Sequence, residues 1–176
     1  MSRVLIVIDA QNDFVSGALG SEAANAAVPN ICKLIDEYME NNEKIILTMD
    51  THFPGYLGTY EGKHLPVEHC MYDGKGWELD RRISDMVMNY PNKILISKTT
   101  FGYTGWSNCE LENYSDIAIC GFCSSICCMA NAQIIHALYP ETPITFVENA
   151  SAGLSEEDHQ AACRIMKDCQ IEVVSI

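Results

Sequence analysis

Charged and sulfur-containing side chains lie at the ends of several apolar runs in this sequence. Four apolar runs are followed, in order, by Asp9, Asp50, Lys98 and the segment that contains Cys127. A cysteine attacks carbon as its thiolate, and a neighbouring ammonium or the positive end of a helix lowers the thiol pKa. A carboxylate such as Asp9 can accept the thiol proton and return it to a departing amine. These residue types indicate nucleophilic acyl transfer, with Cys127 as candidate nucleophile and Asp9 and Lys98 as its partners.

The turn that precedes the helix after the fourth run adds further groups of this kind. The backbone N–H groups of Cys123 and Cys127 are candidate oxyanion donors. Each side chain also has an ordinary structural interpretation, because a free cysteine is usually an inert core residue. Lys98 can be a solvated residue at a strand end, and Asp9 can cap a loop. The coincidence of three such residues at three successive strand ends favours a catalytic site.

A second group of residues suits a metal ion. Asp50 and His52 are separated by one residue, and His69 closes the loop that follows. A carboxylate and two imidazoles are suitable ligands for zinc, iron or manganese, with positions left for water or substrate. Glu61 and His64, in the same loop, are alternative further ligands. An Asp-x-His pair is common by chance, so its spacing alone is weak evidence.

The apolar runs alternate with segments of helical periodicity. The predicted strands are Val4–Ile8, Lys44–Thr48, Lys93–Ser97, Ser115–Cys120, Pro143–Val147 and Gln170–Val174. Helical spacing of apolar residues separates them, and the last helix is expected to begin after Ser155. Buried strands alternating with helices predict an α/β fold in three layers, with a six-stranded, mainly parallel sheet and helices on both faces. The carboxyl ends of parallel strands form one edge of the sheet, where ligands bind.

The length of the chain and its irregular segment define its organisation. A chain of 176 residues fits a single domain spanning residues 1–176, and a domain of that size buries roughly 70% of its unfolded surface. Residues 51–76 are rich in Gly and Pro and lack periodicity, so they are predicted to form a long irregular loop. Loops of that length in compact domains are often functional.

Composition excludes several classes of protein. The net charge of −13 repels phosphate backbones and anionic membrane surfaces, so nucleic acid is not an expected partner. No apolar run approaches the 18 or so residues that span a bilayer. The first apolar run is too short for a signal peptide and ends in a carboxylate. An odd number of cysteines, nine, at irregular spacing indicates reduced thiols in the cytoplasm.

A Cys-rich metal-binding or iron–sulfur protein is an alternative, because Cys120, Cys123, Cys127 and Cys128 lie close together in the sequence. Cys120 belongs to a predicted strand, Cys123 to a turn and Cys127 to the start of a helix. Their side chains therefore need not converge on one metal. The chain also has no second Cys-x-x-Cys pair, which disfavours this class.

Three segments resemble the isochorismatase-like cysteine hydrolases. Val4–Phe14, Lys98–Phe101 and Gly121–Cys127 match the signature segments of that family in their order, and the resemblance covers nearly the whole chain. It implies the isochorismatase-like hydrolase fold, with Asp9 as general base, Lys98 as the residue that stabilises the thiolate, and Cys127 as the nucleophile that forms an acyl-enzyme. It also implies a cis peptide bond between Phe122 and Cys123 beside the oxyanion groups, and association of the chain into homo-oligomers.

The metal residues resemble the nicotinamidase branch of the same family, in which Asp-x-His and a later Pro-x-His-Cys or similar motif bind the metal. The matching residues here are Asp50, His52 and His69. Glu61 is the first candidate for the fourth ligand, and His64 is the second. The resemblance implies a divalent metal, zinc before iron or manganese, that positions the ring nitrogen of nicotinamide. Phe14 and Gln11 are expected to contact this small amide substrate.

The sequence departs from the branch at two places, which leaves other substrates open. Leu65 and Pro66 stand in the region where a Trp is usual, and Ser125 stands where Asp or Asn is frequent. Carbamoyl or ureido compounds are alternative substrates. Hydrolysis of a vinyl ether, as by isochorismatases, is a further alternative, but that reaction needs no cysteine nucleophile. The presence of Cys127 therefore favours amide hydrolysis.

Overall fold

Six parallel strands form one sheet in the computed structural model, which describes residues 2–176. Their order across the sheet is β3-β2-β1-β4-β5-β6. The strands are β1 (Val4–Ile8), β2 (Lys44–Asp50), β3 (Lys93–Lys98), β4 (Ile117–Phe122), β5 (Ile144–Ala152) and β6 (Glu172–Val174). The chain runs from β1 to one edge of the sheet and then crosses to the other side of β1. This reversal beside β1 is the place where open α/β sheets bind ligands.

Helices connect the strands. They are α1 (Asn12–Val15), α2 (Glu22–Glu40), α3 (Tyr60–His64), α4 (Arg81–Val87), α5 (Met129–Leu138) and α6 (Glu156–Asp168). The Ser155 hydroxyl accepts a hydrogen bond from the Asp158 N–H, so α6 begins after Ser155 as predicted. Within residues 2–176, the structure contains no helix with both the length and the apolar character of a membrane span.

The sheet separates two apolar cores. Side chains alternate along β1, so Leu5 and Val7 pack in one core while Val4, Ile6 and Ile8 pack in the other. Helices α1, α2 and α4 cover the first face, and α5 and α6 cover the second. All five β1 side chains are fully buried, and burial of each stabilises the fold by roughly 1.5–3 kcal/mol. The predicted three-layer fold is confirmed.

The strand boundaries differ from the sequence prediction in ways that affect the site. Strand β2 extends to Asp50 and β3 to Lys98, and these two residues pair directly in the parallel register. Strand β4 runs on to Phe122 and β5 to Ala152, which also pair. Asp50 and Lys98, which were expected just beyond their strands, are therefore held within the sheet, because strand pairing continues to the carboxyl ends of the strands.

Two further expectations were wrong in part. Strand β3 was predicted to be buried, but it forms an edge of the sheet, and Ile94 and Leu95 are 41% and 52% exposed. Apolar composition indicated a strand correctly, yet it did not indicate an edge position. The loop over residues 51–76 is irregular as predicted, but it also contains α3 and a short 3-10 turn over Tyr56–Gly58.

Candidate active site

Lys98 joins the predicted base and the predicted nucleophile. Its Nζ lies 2.6 Å from Oδ2 of Asp9 and 3.7 Å from Sγ of Cys127. It also donates a hydrogen bond to the Thr100 carbonyl at 3.1 Å. Asp9, Lys98 and Cys127 are all at least 97% buried. Asp9 directly follows β1, Lys98 ends β3 and Cys127 lies in the turn before a helix. The structure thus brings these three residues into one cluster that excludes bulk water.

The backbone and Thr48 fix the orientation of the Asp9 carboxylate. Asp9 has a φ of 47°, in the left-handed region that few non-glycine residues adopt. The Thr48 hydroxyl donates to Oδ1 of Asp9 at 2.7 Å and accepts from the Asp9 N–H at 3.1 Å. Apart from its ion pair with Lys98, Oδ2 accepts no hydrogen bond. One carboxylate oxygen is therefore fixed, and the other keeps a lone pair for a proton.

Gly121 allows the turn that carries the nucleophile to approach the base. It pairs with Ile8, the residue before Asp9, and has a φ of 116°. A Cβ atom at this position would lie 2.0 Å from the Ile8 carbonyl oxygen. Only glycine fits both this conformation and this approach. The sequence shows a glycine here, but the need for it depends on the pairing of β1 with β4.

The nucleophile lies in a tight turn between β4 and α5. The Phe122–Cys123 peptide bond is cis, as the family resemblance implied. Ser124–Cys128 form a π-helical turn, in which the Cys128 N–H donates to the Cys123 carbonyl at 3.1 Å. Such turns occur frequently at functional sites. The backbone of Cys123 and Cys127, predicted to bind an oxyanion, belongs to this turn.

Asn131 connects this turn to the loop that follows β3, a role that the sequence did not reveal. It is fully buried, and its amide nitrogen donates to the carbonyl oxygens of Cys127 at 2.8 Å and Phe101 at 3.0 Å. Its amide oxygen accepts from the Tyr103 N–H and from the Trp106 indole, each at 2.8 Å. Its position one helical turn after Cys127 is the only signal that sequence offers.

The electrostatics of the cluster correct the expectation that Cys127 has a lowered pKa. Burial, followed by the charge of Asp9, raises the Cys127 pKa well above its usual value, and Lys98 offsets only part of this. Burial also raises the pKa of Asp9 against the opposing effect of Lys98. Burial alone would lower the Lys98 pKa, but Asp9, Cys127 and Asp50 raise it. Burial and the charge of Asp9 therefore oppose a thiolate on Cys127 before substrate binds, whereas Lys98 favours it.

The predicted metal ligands converge beside this cluster. One donor atom from each of Asp50, His52, Glu61 and His69 lies within 4.8 Å of the others. Oδ2 of Asp50 lies 3.0 Å from Nε2 of His52 and 3.4 Å from Nε2 of His69. Oε1 of Glu61 lies 3.5 Å from Nε2 of His52. His64 is exposed, and its ring bonds to the Tyr60 carbonyl, so the structure groups Glu61 rather than His64 with the other ligands.

Asp50 connects the two groups of residues. Its Oδ1 lies 3.4 Å from Nζ of Lys98, while its Oδ2 faces the two histidines. Burial alone would raise the Asp50 pKa, but hydrogen bonds from His52 and His69 hold it below its usual range. His69 is oriented by a 2.8 Å contact between its Nδ1 and the Val67 carbonyl. Backbone carbonyls commonly orient metal-binding imidazoles in this way, so the residues fit a divalent cation.

Gln11 positions this region instead of facing the cleft. It is fully buried, and its amide exchanges two hydrogen bonds with the Asp50 backbone, at 2.7 Å and 2.9 Å. The same amide donates to the Trp77 carbonyl at 2.7 Å. Sequence reasoning had expected Gln11 to contact substrate, but these backbone contacts already engage both polar atoms of its amide.

Asp13 has a related role that the sequence analysis missed. Its Oδ2 accepts a hydrogen bond from the Cys70 N–H at 2.7 Å, directly after His69. Its Oδ1 accepts from the Ala18 N–H at 3.2 Å. Asp13 thereby ties the loop that carries His69 to the segment after β1. Asp13 lies within Val4–Phe14, one of the three segments that resemble the family, and this was the sequence feature that could have identified it.

A narrow apolar cleft lies between Cys127 and the predicted metal ligands. Its free volume is about 20 Å³, and it reaches Cys127, Asp50 and His69. Its other walls are mainly apolar, formed by Phe14, Leu19, Leu65, Phe101, Ile126 and Leu154. The Phe14 ring meets the His69 ring edge-on at 5.7 Å. Phe14 therefore lines the cleft beside His69, Leu65 forms another part of its wall, and contact of Phe14 with a substrate stays a prediction.

The clustered cysteines do not form a metal site. Cys120 and Cys123 pack in one apolar core, and Cys127 and Cys128 pack in the core on the opposite face of the sheet. Among residues 2–176, the groups of three or more side chains able to hold a metal contain none of these four cysteines. All nine cysteines are free thiols. The alternative of a cysteine-cluster protein therefore has no support in the geometry.

Solved structures share this fold across the whole chain. A nicotinamidase/pyrazinamidase from Bacillus subtilis is 23% identical, with a TM-score of 0.88 over 99% of this chain and 100% of that one. A zinc-bound pyrazinamidase from Pyrococcus horikoshii is 24% identical, with a TM-score of 0.83 over 100% of both chains. An N-carbamoylsarcosine amidase from Thermoplasma acidophilum is 20% identical, with a TM-score of 0.81 over 99% of this chain and 96% of that one.

Sequence comparison gives the family. No curated protein matches the chain. A family model described as the isochorismatase domain matches residues 3–176. This match confirms the resemblance read from the three signature segments and, with it, the prediction of a hydrolase. The chain belongs to the isochorismatase family.

Proposed function

We propose that this protein hydrolyses a carbon–nitrogen amide bond of a small molecule through an acyl-enzyme on Cys127. The observation that carries the proposal is the contact of Lys98 with both Asp9, at 2.6 Å, and Cys127, at 3.7 Å. A thiol, a carboxylate and an ammonium in one buried cluster are the groups that acyl transfer requires. The narrow apolar cleft beside Cys127 also reaches Asp50 and His69, and a substrate bound between them would widen it.

In the first half of the reaction, one proton moves from sulfur to nitrogen by way of Asp9, a carbon–sulfur bond forms and the carbon–nitrogen bond breaks. Asp9 takes the proton of Cys127, and the sulfur attacks the amide carbonyl carbon. The ammonium of Lys98 stabilises the thiolate that forms 3.7 Å away. The backbone N–H groups of Cys123 and Cys127 are the proposed donors to the oxyanion. Asp9 then returns its proton to the nitrogen, the carbon–nitrogen bond breaks, and ammonia leaves a thioester.

The second half uses the same residues in the opposite order. Asp9 takes a proton from a water molecule, whose oxygen attacks the thioester carbonyl. The carbon–sulfur bond breaks, the carboxylic acid leaves, and Asp9 returns the proton to the sulfur. Because Asp9 has one oxygen fixed by Thr48 and one free of other hydrogen bonds, the same atom can serve both transfers.

Asp50, His52, Glu61 and His69 are the proposed ligands of a divalent cation, with zinc the first candidate. Their donor atoms lie within 4.8 Å of one another, and such a set of imidazoles and carboxylates suits zinc. The zinc-bound pyrazinamidase of the same fold supports this choice. A cation there would supply a Lewis acid that binds a ring nitrogen or other lone pair of the substrate. His69 and Asp50 also line the cleft, so this anchor point faces Cys127.

An aromatic amide such as nicotinamide or pyrazinamide is the first candidate substrate. The Phe14 and Phe101 side chains in the cleft suit a flat ring, and structural neighbours are named for these amides. Carbamoyl compounds are the second candidate. The aliphatic walls formed by Leu65, Ile126 and Leu154 favour a smaller, non-aromatic group, and one neighbour is an N-carbamoylsarcosine amidase.

Ammonia release from a panel of amides tests this function. The panel contains nicotinamide, pyrazinamide, N-carbamoylsarcosine and other ureido compounds, each incubated with zinc-supplied wild-type protein and with Cys127→Ala. We expect ammonia from at least one compound with the wild type and none with the variant. No ammonia from any amide, or equal release by the variant, would contradict the proposal.

A further inference from the structure

A second group of metal-binding side chains lies away from the candidate active site. One donor atom from each of Glu148, His159 and Cys163 lies within 4.8 Å of the other two. Glu148 belongs to β5, and His159 and Cys163 are one turn apart on α6. His159 is 9% and Cys163 3% exposed, whereas Glu148 is half-buried. The proposed mechanism uses none of these residues.

The His159 ring is oriented so that one nitrogen faces the other two groups. Its Nδ1 lies 2.8 Å from the Ser124 hydroxyl oxygen, and its Nε2 lies 3.8 Å from Sγ of Cys163. A nitrogen and a sulfur that both bind tetrahedral zinc are roughly 3.5 Å apart, given bond lengths of about 2.0 and 2.3 Å. A polar partner on the far nitrogen is the usual way in which a metal-binding imidazole is oriented. Ser124 supplies that partner here.

Glu148 provides a carboxylate within hydrogen-bonding distance of the Cys163 thiol. Its Oε1 accepts a hydrogen bond from the Ser175 hydroxyl at 2.8 Å. The side chains of Glu148 and His159 also line a cavity of about 620 Å³ that opens to solvent. Water in this cavity therefore reaches Glu148 and His159, two of the three residues of the group. Gln160 and Lys167 stand at other parts of the cavity wall.

We propose that Glu148, His159 and Cys163 form a second divalent-metal site, which takes zinc with a water molecule as fourth ligand. Thiolate, imidazole and carboxylate together are a ligand set that zinc accepts in tetrahedral geometry. Binding releases the Cys163 proton to solvent, and sulfur, Nε2 and a carboxylate oxygen each donate one electron pair to the ion. The His159 Nδ1–H then donates to the Ser124 hydroxyl.

This site is joined by one hydrogen bond to the turn that carries Cys127. Ser124 is fully buried and is the first residue of the π-helical turn Ser124–Cys128. An ion bound to His159 fixes which ring nitrogen carries the proton, and so fixes the hydrogen bond to Ser124. The expected role of the second ion is to hold this turn, because its ligands do not face the cleft above Cys127.

Cobalt(II) distinguishes this site from the one proposed beside Cys127. Only the second site has a thiolate ligand, since the first consists of Asp50, His52, Glu61 and His69. Metal-free wild-type protein titrated with Co²⁺ should therefore develop a thiolate-to-cobalt charge-transfer band, and zinc should remove it by displacement. The band should remain in Cys127→Ala and in Cys169→Ser, the matched control on a partly buried cysteine outside the group. It should be lost in Cys163→Ser.

Glu148→Gln provides a test at a half-buried residue, where the substitution leaves the packing of the core unchanged. We expect the band to remain in this variant while the affinity for Co²⁺ falls at least tenfold. Circular dichroism checks that each variant is folded. Absence of a thiolate band in the wild type, its persistence in Cys163→Ser, or unchanged affinity in Glu148→Gln would overturn the proposal. None of these outcomes depends on finding an amide substrate.

Discussion

Nζ of Lys98 lies 2.6 Å from Oδ2 of Asp9, and both groups are almost completely buried. The same ammonium lies 3.7 Å from the sulfur of Cys127. One positive charge thus faces two groups that can each become negative, and burial disfavours both ionising together. Transfer of a proton from Cys127 to Asp9 keeps the total charge of the cluster constant. This explains how a thiol with a raised pKa can still act as a nucleophile.

Asp9→Asn should make Cys127 more reactive towards iodoacetamide while strongly reducing turnover. The negative charge of Asp9 raises the Cys127 pKa, so its removal lowers that pKa and increases the thiolate fraction at a given pH. The profile of alkylation rate against pH should therefore shift to lower pH. The loss of the base should reduce kcat by about 100-fold or more.

The measurement is the rate of Cys127 labelling, followed by peptide mapping, between pH 6 and pH 10 (an interval around the usual cysteine pKa of about 8.5). Asp36→Asn, an exposed carboxylate on α2, is the control and should leave the profile unchanged. A shift to higher pH in Asp9→Asn would show that Asp9 does not oppose ionisation of the thiol.

Replacement of adjacent cysteines should separate chemistry from packing. Cys127→Ala should abolish ammonia release and leave the protein folded. Cys128→Ala should retain most activity but lower stability by about 1 kcal/mol, because Cys128 is fully buried in an apolar core. Cys120→Ala should likewise remain active. Activity assays and thermal melts check these outcomes, and an inactive but folded Cys128→Ala would count against the assignment of the nucleophile.

Gly121→Ala should impair both stability and turnover. The new Cβ would lie 2.0 Å from the Ile8 carbonyl oxygen at a φ of 116°, so the ends of β1 and β4 must separate. We expect a loss of stability on the order of 3 kcal/mol and a fall in kcat above tenfold. Gly58→Ala, where a Cβ meets no atom within 4 Å, is the matched control. Equal urea midpoints for the two variants would disprove the close approach.

Metal content should depend on His52 and not on His64. His52→Ala removes an imidazole from the group around Asp50, so we expect one bound zinc fewer than in the wild type. His64→Ala removes an exposed imidazole outside that group and should keep the wild-type content. Elemental analysis after exhaustive dialysis provides the measurement. Retention of zinc by His52→Ala together with its loss from His64→Ala would show that His64, and not His52, is a metal ligand.

Asn131→Ala should weaken the site without touching a reacting group. The substitution leaves the Trp106 indole and the carbonyls of Cys127 and Phe101 without this partner, at a cost of about 2–4 kcal/mol. Displacement of the Cys127 turn should lower kcat more than it changes KM. Asn113→Ala, at an exposed asparagine, is the control. A wild-type kcat in a folded Asn131→Ala variant would show that Asn131 does not position the Cys127 turn for catalysis.

The fold was predictable because each strand leaves a local signal. Branched apolar runs identified all six strands, and their alternation with helices gave the parallel sheet. The exposure of Ile94 and Leu95 was not predictable, since edge position depends on the order of strands across the sheet. The extension of β2 to Asp50 and of β3 to Lys98 also depends on pairing between strands.

The sequence predicted which side chains carry the chemistry, but it did not predict which residues hold them in place. Asp9, Lys98 and Cys127 lie where strands end, and the family resemblance then identified their roles. Thr48 and Asn131 give no such signal, because their hydrogen bonds to Asp9 and Cys127 exist only after distant segments have packed together. The raised pKa of Cys127 likewise follows from complete burial, which a sequence pattern does not measure.

Trapping of the acyl-enzyme tests whether Cys127 is the nucleophile. Wild-type protein mixed with an amide that releases ammonia is quenched in acid during steady-state turnover, and its peptides are mapped by mass spectrometry. We expect the peptide containing Cys127 to gain the mass of the substrate's acyl group, and no other cysteine peptide to do so. Continued release of ammonia with the acyl group on another residue, or full turnover by Cys127→Ala, would contradict it.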